Sequence, residues 1–291
     1  MTAELACAVL SYRDEPFLAD AVRSVLHQDV PVEVVVINSG GGDPASRLRS
    51  AALDVPVHSV RHRLYPGAVR NLGIGLTRAP YVAFLAADCL AAPGWATARL
   101  REHHAGAAAV ASAMTNAYVE STAAWAALLL LHNRRLTVTR PGQRLFYSLS
   151  YDRRLFDRLG LFREDLRAGE DTEFNARIPA EEHTVFALDA ITAHRYPTEA
   201  AAMLRDAFRR GRLHAASQGA IEGRGPPRIR VALRAPRDVG HSFILAARSP
   251  RPERGRLFRA LPLVVAASVA YTAGALTARS ARPSRTDHAC E

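Results

Sequence analysis

Four runs of strand length recur through the first third of this 291-residue chain, and a segment with helical spacing separates each from the next. Leu5 to Leu10 is the first. Leu18, Ala21, Val22, Val25 and Leu26 then repeat at helical steps, with Pro16 suited to a first turn. Val32 to Ile37 is the second run, followed by a helical segment to about Ala52 and a third short run, Val55 to Val60. Ala68 to Leu76 reads as a helix carrying Arg70 and Asn71, and Tyr81 to Leu85 as a fourth, buried strand. Strands alternating with helices predict an α/β fold with a mostly parallel sheet and helices on both faces. In such sheets the ligand crevice lies outside the carboxyl ends of the strands. Asp88 sits just past the end of the fourth strand, and it equally suits a turn before Pro93-Gly94.

Beyond residue 115 the pattern is less regular. A helix from about Trp95 to His103 and a strand from Ala107 to Met114 come before it, and Ala123 to Leu131 follows as a helix apolar on every side. That helix is too short to cross a bilayer. Leu145 to Leu149 reads as a strand and Arg153 to Leu159 as a helix stopped by Gly160. Glu170 opens a helix through Ile178, Val185 to Leu188 and Ile191 to His194 read as two short strands, and Thr198 opens a longer helix. Gly223-Arg224-Gly225-Pro226-Pro227 marks a linker, which divides the chain into a domain of residues 1–222 and an appendage of residues 223–291. Within the appendage, Ala260 to Ala278 is free of charge and flanked by arginine. At 1.5 Å per residue it spans about 28 Å, close to a bilayer core. It serves either as a membrane anchor or as a helix packed on the main domain. Arg282 to Glu291 reads as a disordered tail.

The formal net charge is +10, and all 38 basic residues are arginine. A basic excess points to phosphates as partners, whether on nucleic acid, anionic lipid or a phosphorylated small molecule. Aromatics are few at 7%, which speaks against base-stacking and leaves nucleic acid out. Cys7, Cys89 and Cys290 are too scattered for a disulfide framework or a zinc site, which fits a reducing, cytoplasmic setting. The start Met1-Thr2-Ala3-Glu4 lacks the features of a signal peptide.

Three further groups of residues can carry chemistry. Gly40-Gly41-Gly42 follows a strand but lacks the Lys-Ser/Thr of a P-loop; Asn38 and Ser39 before it offer short polar groups to a nucleotide, or simply make the turn. Glu170-Asp171 behind Gly169 suits a helix start or a general base. His194 becomes a metal ligand only if the fold brings Asp88 beside it.

In order and spacing these pieces resemble the family 2 glycosyltransferases, an inverting group with a GT-A fold, over roughly residues 4 to 220. Ala8 to Glu15 is similar to the family's first strand and turn, and Val34 to Asp43 to its second. Pro66-Gly67-Ala68-Val69-Arg70-Asn71 is similar to its arginine-asparagine helix start, and Phe84-Leu85-Ala86-Ala87-Asp88 stands at its Asp-x-Asp metal motif. Leu149 to Arg154 and Leu161 to Leu166 lead to Gly169-Glu170-Asp171 as in its acceptor half. Two positions depart: Ala86 replaces the first acid of the metal motif, and Asn38-Ser39 replaces paired acids after the second strand.

The resemblance implies a hexosyltransferase-type enzyme acting on a nucleotide-diphosphate sugar and an acceptor hydroxyl, with a role in cell-envelope polysaccharide. It implies donor binding by Ser11, Asp14, Asn38, Ser39, Arg70 and Asp88, and Mg²⁺ or Mn²⁺ held by Asp88 and His194. Asp171 is the implied base, with Glu170 as its substitute, and the acceptor a carbohydrate or a lipid-linked molecule. The arginine-rich appendage places the enzyme at the inner face of the cell membrane. The rival reading is a catalytically silent GT-A scaffold, or a nucleotide-sugar-binding protein at the membrane, suggested by Ala86.

Overall fold

The computed structural model describes residues 2–136, 149–222, 229–230, 234–249 and 253–278. The strand expected to begin at Leu145, the linker at Gly223 to Pro227, Arg251 and the tail from Arg282 lie wholly or partly outside them.

The first half follows the alternation of the sequence. It runs β1 (Leu5–Tyr12), α1 (Leu18–Leu26), β2 (Val32–Ser39), α2 (Pro44–Ser50), β3 (Val57–Val60), α3 (Pro66–Leu76) and β4 (Tyr81–Ala86), then β5 (Cys89–Ala91), α4 (Trp95–His104) and β6 (Ala109–Asn116). Then come α5 (Thr122–His132), β7 (Leu149–Asp152), α6 (Arg154–Leu159), α7 (Glu170–Arg177), β8 (Thr184–His194), α8 (Ala200–Glu222), α9 (Arg234–Arg248) and α10 (Glu253–Leu276). The sheet order is β3-β2-β1-β4-β7-β6-β8-β5. β3, β2, β1 and β4 run parallel to one another and β6 parallel to β8, whereas β7 runs antiparallel to both β4 and β6, and β5 antiparallel to β8. The two short strands expected before His194 are one strand. Ala187 pairs with Ser112 and Ile191 with Ala113, so residues 188–190 bulge out of a continuous β8.

Side-chain alternation sorts the core into two layers. On one face Ala6, Ala8, Ile37 and Phe84 pack with Val69 and Ile74 of α3 and with Phe156, Phe162 and Phe174. On the other, Leu5, Cys7, Val9, Val36 and Leu85 pack with Leu18, Val22 and Val25 of α1 and Trp95 of α4. Full burial of each large side chain contributes about 1.5–3 kcal/mol. Asp43 caps α2 by accepting from the Ser46 N–H at 2.9 Å, and Ser121 caps α5 in the same way.

A third cluster lies outside the sheet. The apolar helix α5 is buried, as its composition requires, under residues of α8, α9 and α10, among them Met203, Leu245, Leu257 and Leu261. Helices α8 and α10 approach to backbone contact. A Cβ at Gly211 would lie 1.9 Å from the Tyr271 carbonyl oxygen, and one at Gly274 2.0 Å from that of Phe208. Only glycine permits that approach at both positions. Helix α10 is long and apolar enough to cross a membrane by length and composition, and its inner face is packed against this cluster.

Candidate active site

The parallel strands set the site. Ser11 pairs with Asn38, Tyr12 with Ser39 and Leu10 with Ala86, so the carboxyl ends of β1, β2 and β4 form one ledge. Over it lies a cavity of about 500 Å³. Ser11, Ser39, Ala86 and Asp88 line it, together with Arg70, Glu170 and Asp171. Residues from five separate stretches of the chain thus meet in one concavity of small-molecule size. Ser11 Oγ is buried there without a hydrogen-bond partner, which is a costly state for a hydroxyl unless a ligand meets it.

Asp88 occupies the turn between β4 and β5. Because Cys89 pairs directly with His194 across β5 and β8, the fold brings His194 Nε2 to 3.6 Å from Asp88 Oδ2. The Cys89 thiol donates to Asp88 Oδ1 at 3.5 Å, and one ligand atom from each of the three lies within 4.8 Å of the others. Burial lowers the His194 pKa, against an opposing pull from Asp88, and so favours the neutral imidazole that a metal ligand requires. Burial, reinforced by Asp88, raises the Cys89 thiol well above its ordinary value. The 3.6 Å between His194 Nε2 and Asp88 Oδ2 matches the edge of a coordination shell with bonds of about 2.0–2.3 Å, so this pair fits a divalent ion, while Cys89, as a thiol, packs beside them.

The cavity also holds a charge cluster. Gly169 adopts a left-handed conformation (φ 83°) and turns the chain into α7, which places Glu170 and Asp171 in the first helical turn. Arg70, from α3, reaches both: Nη2 lies 3.2 Å from Glu170 Oε1 and 3.6 Å from Asp171 Oδ2. The guanidinium also lies over the rings of Phe84 and Phe162 at 5.3 and 5.6 Å. Burial alone would lower the Arg70 pKa, but the two carboxylates outweigh it and the net shift is upward. Glu170 is held above its ordinary value, chiefly by burial, with Arg70 pulling it down and Asp171 pushing it up. Asp171 is the more open of the two carboxylates and keeps its own N-terminal contact, accepting from the Thr172 N–H at 2.7 Å.

Asn38 and Asp14, two expected donor contacts, hold the glycine turn beside the cavity. Asn38 is fully buried and its amide donates to the Gly41 carbonyl at 2.7 Å, holding the glycine turn from beneath. Asp14 accepts from the Asp43 N–H at 3.0 Å and closes the same turn from the side. Neither lines the cavity. Gly40, Gly41 and Gly42 all have φ near 85°, a left-handed run open to glycine and strained for other residues. Arg63 and Arg167 also line the cavity, and neither is marked as a site residue in the sequence. They stand on loops in an arginine-rich chain, with no motif to distinguish them.

Comparison with known proteins agrees with this geometry. The profile of glycosyl transferase family 2 matches residues 7–158. Among solved structures, the chain is similar to a mannosyltransferase, PcManGT, from Pyrobaculum calidifontis, in complex with GDP-Man and Mn²⁺. The TM-score is 0.58 at 16% identity, over 92% of this chain and 87% of that one. It is also similar to residues 1–349 of TarS from S. aureus in complex with UDP-GlcNAc, with a TM-score of 0.52 at 14% identity over 92% of this chain and 91% of that one. Identities this low show a shared fold. No curated protein sequence gives a significant match. The family profile covers more than half of the chain, and the strand-end cavity lies in the fold shared with these transferases: the chain belongs to glycosyl transferase family 2.

Proposed function

We propose that the protein transfers a hexose from a nucleoside-diphosphate donor to an acceptor hydroxyl, with inversion. The observation that carries this reading is that one cavity is lined by Asp88, with His194 3.6 Å from it, and by Glu170 and Asp171. Ser11 and Ser39 at the strand ends are placed to meet the donor, the Ser11 hydroxyl in need of a partner. Asp88 and His194, with Cys89 beside them, would hold Mg²⁺ or Mn²⁺. Such an ion would offset the charge that grows on the departing diphosphate. Asp171 accepts the proton of the acceptor hydroxyl. The freed oxygen bonds to the anomeric carbon from the face opposite the leaving group, and the bond to the diphosphate oxygen breaks. Arg70 acts through the two carboxylates and not at the phosphates: its guanidinium reaches both and holds Asp171 and Glu170 in place. PcManGT, solved with GDP-Man and Mn²⁺, supports the donor and metal classes by analogy of fold.

The test is calorimetric. Nucleoside diphosphate affinity should rise with Mn²⁺ in the wild type and stay unchanged by Mn²⁺ in Asp88→Ala. Mg²⁺ sites commonly combine one or two carboxylates with phosphate oxygens, so Ala86 does not disqualify the site. Equal behaviour of the two proteins would remove Asp88 from the metal site and favour the silent-scaffold reading.

We also propose that the C-terminal helices dock on an anionic membrane surface by the outward face of α10. Phe258, Val265, Val269 and Leu276 are exposed at helical spacing along one face, and Arg254 and Arg259 are exposed near its N-terminal end. On α9, Phe243 and Ile244 are exposed with Arg248. An apolar stripe beside arginines suits the boundary of headgroups and acyl chains. The close contact of α10 with α8 favours lying on the membrane over crossing it. The full-length protein should co-sediment with vesicles containing phosphatidylglycerol and much less with phosphatidylcholine alone. The double substitution Val265→Glu/Val269→Glu should abolish sedimentation while leaving the melting temperature within about 2 °C, because both side chains already face outward. Sedimentation that ignores lipid charge or survives both glutamates would contradict the docking face.

A further inference from the structure

Arg63 and Arg167 line the same cavity as Asp88 and Asp171, and both are exposed. They come from distant stretches of the chain, Arg63 from the loop between β3 and α3, Arg167 from the loop ahead of α7. Both lean on one aromatic ring. The Arg63 guanidinium lies 5.9 Å from the Tyr65 ring centre and that of Arg167 6.0 Å, and Arg63 also lies 5.3 Å from Tyr12. Among the described residues neither makes an ion pair or a hydrogen bond. Arg70, the third cation of the cavity, is already engaged by Glu170 and Asp171. Beside Asp88 the cavity is lined by Ala86 and Ala87, which offer no second acid for a metal.

From this arrangement we propose that Arg63 and Arg167 form a clamp on the diphosphate of the donor, and that the clamp holds it even without a metal ion. The inference rests on the reading of the cavity as a nucleoside-diphosphate site. Guanidinium groups bind phosphate through paired parallel N–H donors, and aromatic support fixes their planes before the ligand arrives. The two arginines, held beside one ring, would meet the diphosphate together. The charge that appears on the leaving phosphate as the glycosidic bond breaks then meets cations already in position.

The experiment is titration calorimetry of the full-length protein in EDTA with the four common ribonucleoside diphosphates and thymidine diphosphate, with the matching nucleosides as controls. The wild type should bind at least one diphosphate in EDTA. Arg63→Gln and Arg167→Gln should each weaken that binding about tenfold, and the double variant at least about 30-fold, with any nucleoside affinity unchanged. Both positions are exposed and on loops, so the variants should melt with the wild type. Three results would overturn the clamp: EDTA abolishing wild-type binding that Mn²⁺ restores, the double variant binding as the wild type does, or nucleoside and diphosphate affinities falling together. If the wild type binds no nucleoside diphosphate with or without Mn²⁺, the reading beneath the clamp fails as well.

Discussion

Asp171→Asn is expected to lower turnover about 10²- to 10⁴-fold while donor affinity changes by less than about twofold. Asparagine keeps the size of the side chain and one acceptor oxygen, so the contact to the Thr172 N–H can persist. What it removes is the site proposed to take the acceptor proton. That loss appears in the transition state and not in donor capture, so kcat falls and the nucleoside diphosphate Kd does not. Glu170→Gln should have a smaller effect, because Glu170 is the more buried carboxylate and lies nearer the Arg70 guanidinium. If Asp171→Asn stays active and Glu170→Gln is inactive, the two roles are exchanged.

Arg70→Met should be the most destabilising single change at the site. It leaves two neighbouring carboxylates, buried to different degrees, without their cation, a loss of about 3–5 kcal/mol. For a chain of this size that corresponds to a fall in melting temperature of about 10 °C. The sign of its pH dependence follows from Glu170, whose pKa is already raised by burial and restrained by Arg70. Without Arg70 the folded-state pKa rises further above the unfolded value. Protonated Glu170 tolerates burial, so the deficit is smallest at low pH and grows as the pH rises through the raised pKa. Melting curves of both proteins across that range read it directly; a deficit that does not vary with pH would mean that the Arg70 stem, packed between Phe84 and Phe162, matters more than its charge.

The sequence made the strand-end residues legible because a parallel sheet places the end of every alternate apolar run on the same edge. Ser11, Ser39 and Asp88 could be placed by counting along their runs, and Asp171 by the glycine that turns the chain into α7. Asn38 and Asp14 show the limit of that counting. A residue at a strand end can face the ligand or hold the turn beneath it, and the choice depends on side-chain direction within Gly40–Gly42. The pairing of Arg70 with Glu170 and Asp171 joins α3 to α7 across about a hundred intervening residues and has no local signal. The bulge in β8 looks like a break in the sequence because residues 188–190 interrupt the alternation without ending the pairing. The covered face of α10 and its exposed face carry similar apolar residues, so composition alone distinguishes neither the Gly211–Gly274 contact nor the outward stripe.

The central claim is inverting sugar transfer at the Asp88–Asp171 cavity, and the configuration of the released sugar tests it most directly. Many nucleotide-diphosphate sugars carry an α-linked hexose, and water can stand in for the acceptor at a slow rate. Proton NMR of the wild type with a panel of such donors and Mn²⁺, recorded before mutarotation, is predicted to show the β-anomer first from at least one donor, with no signal from Asp171→Asn. First appearance of the α-anomer, or equal release by wild type and Asp171→Asn, would contradict the account.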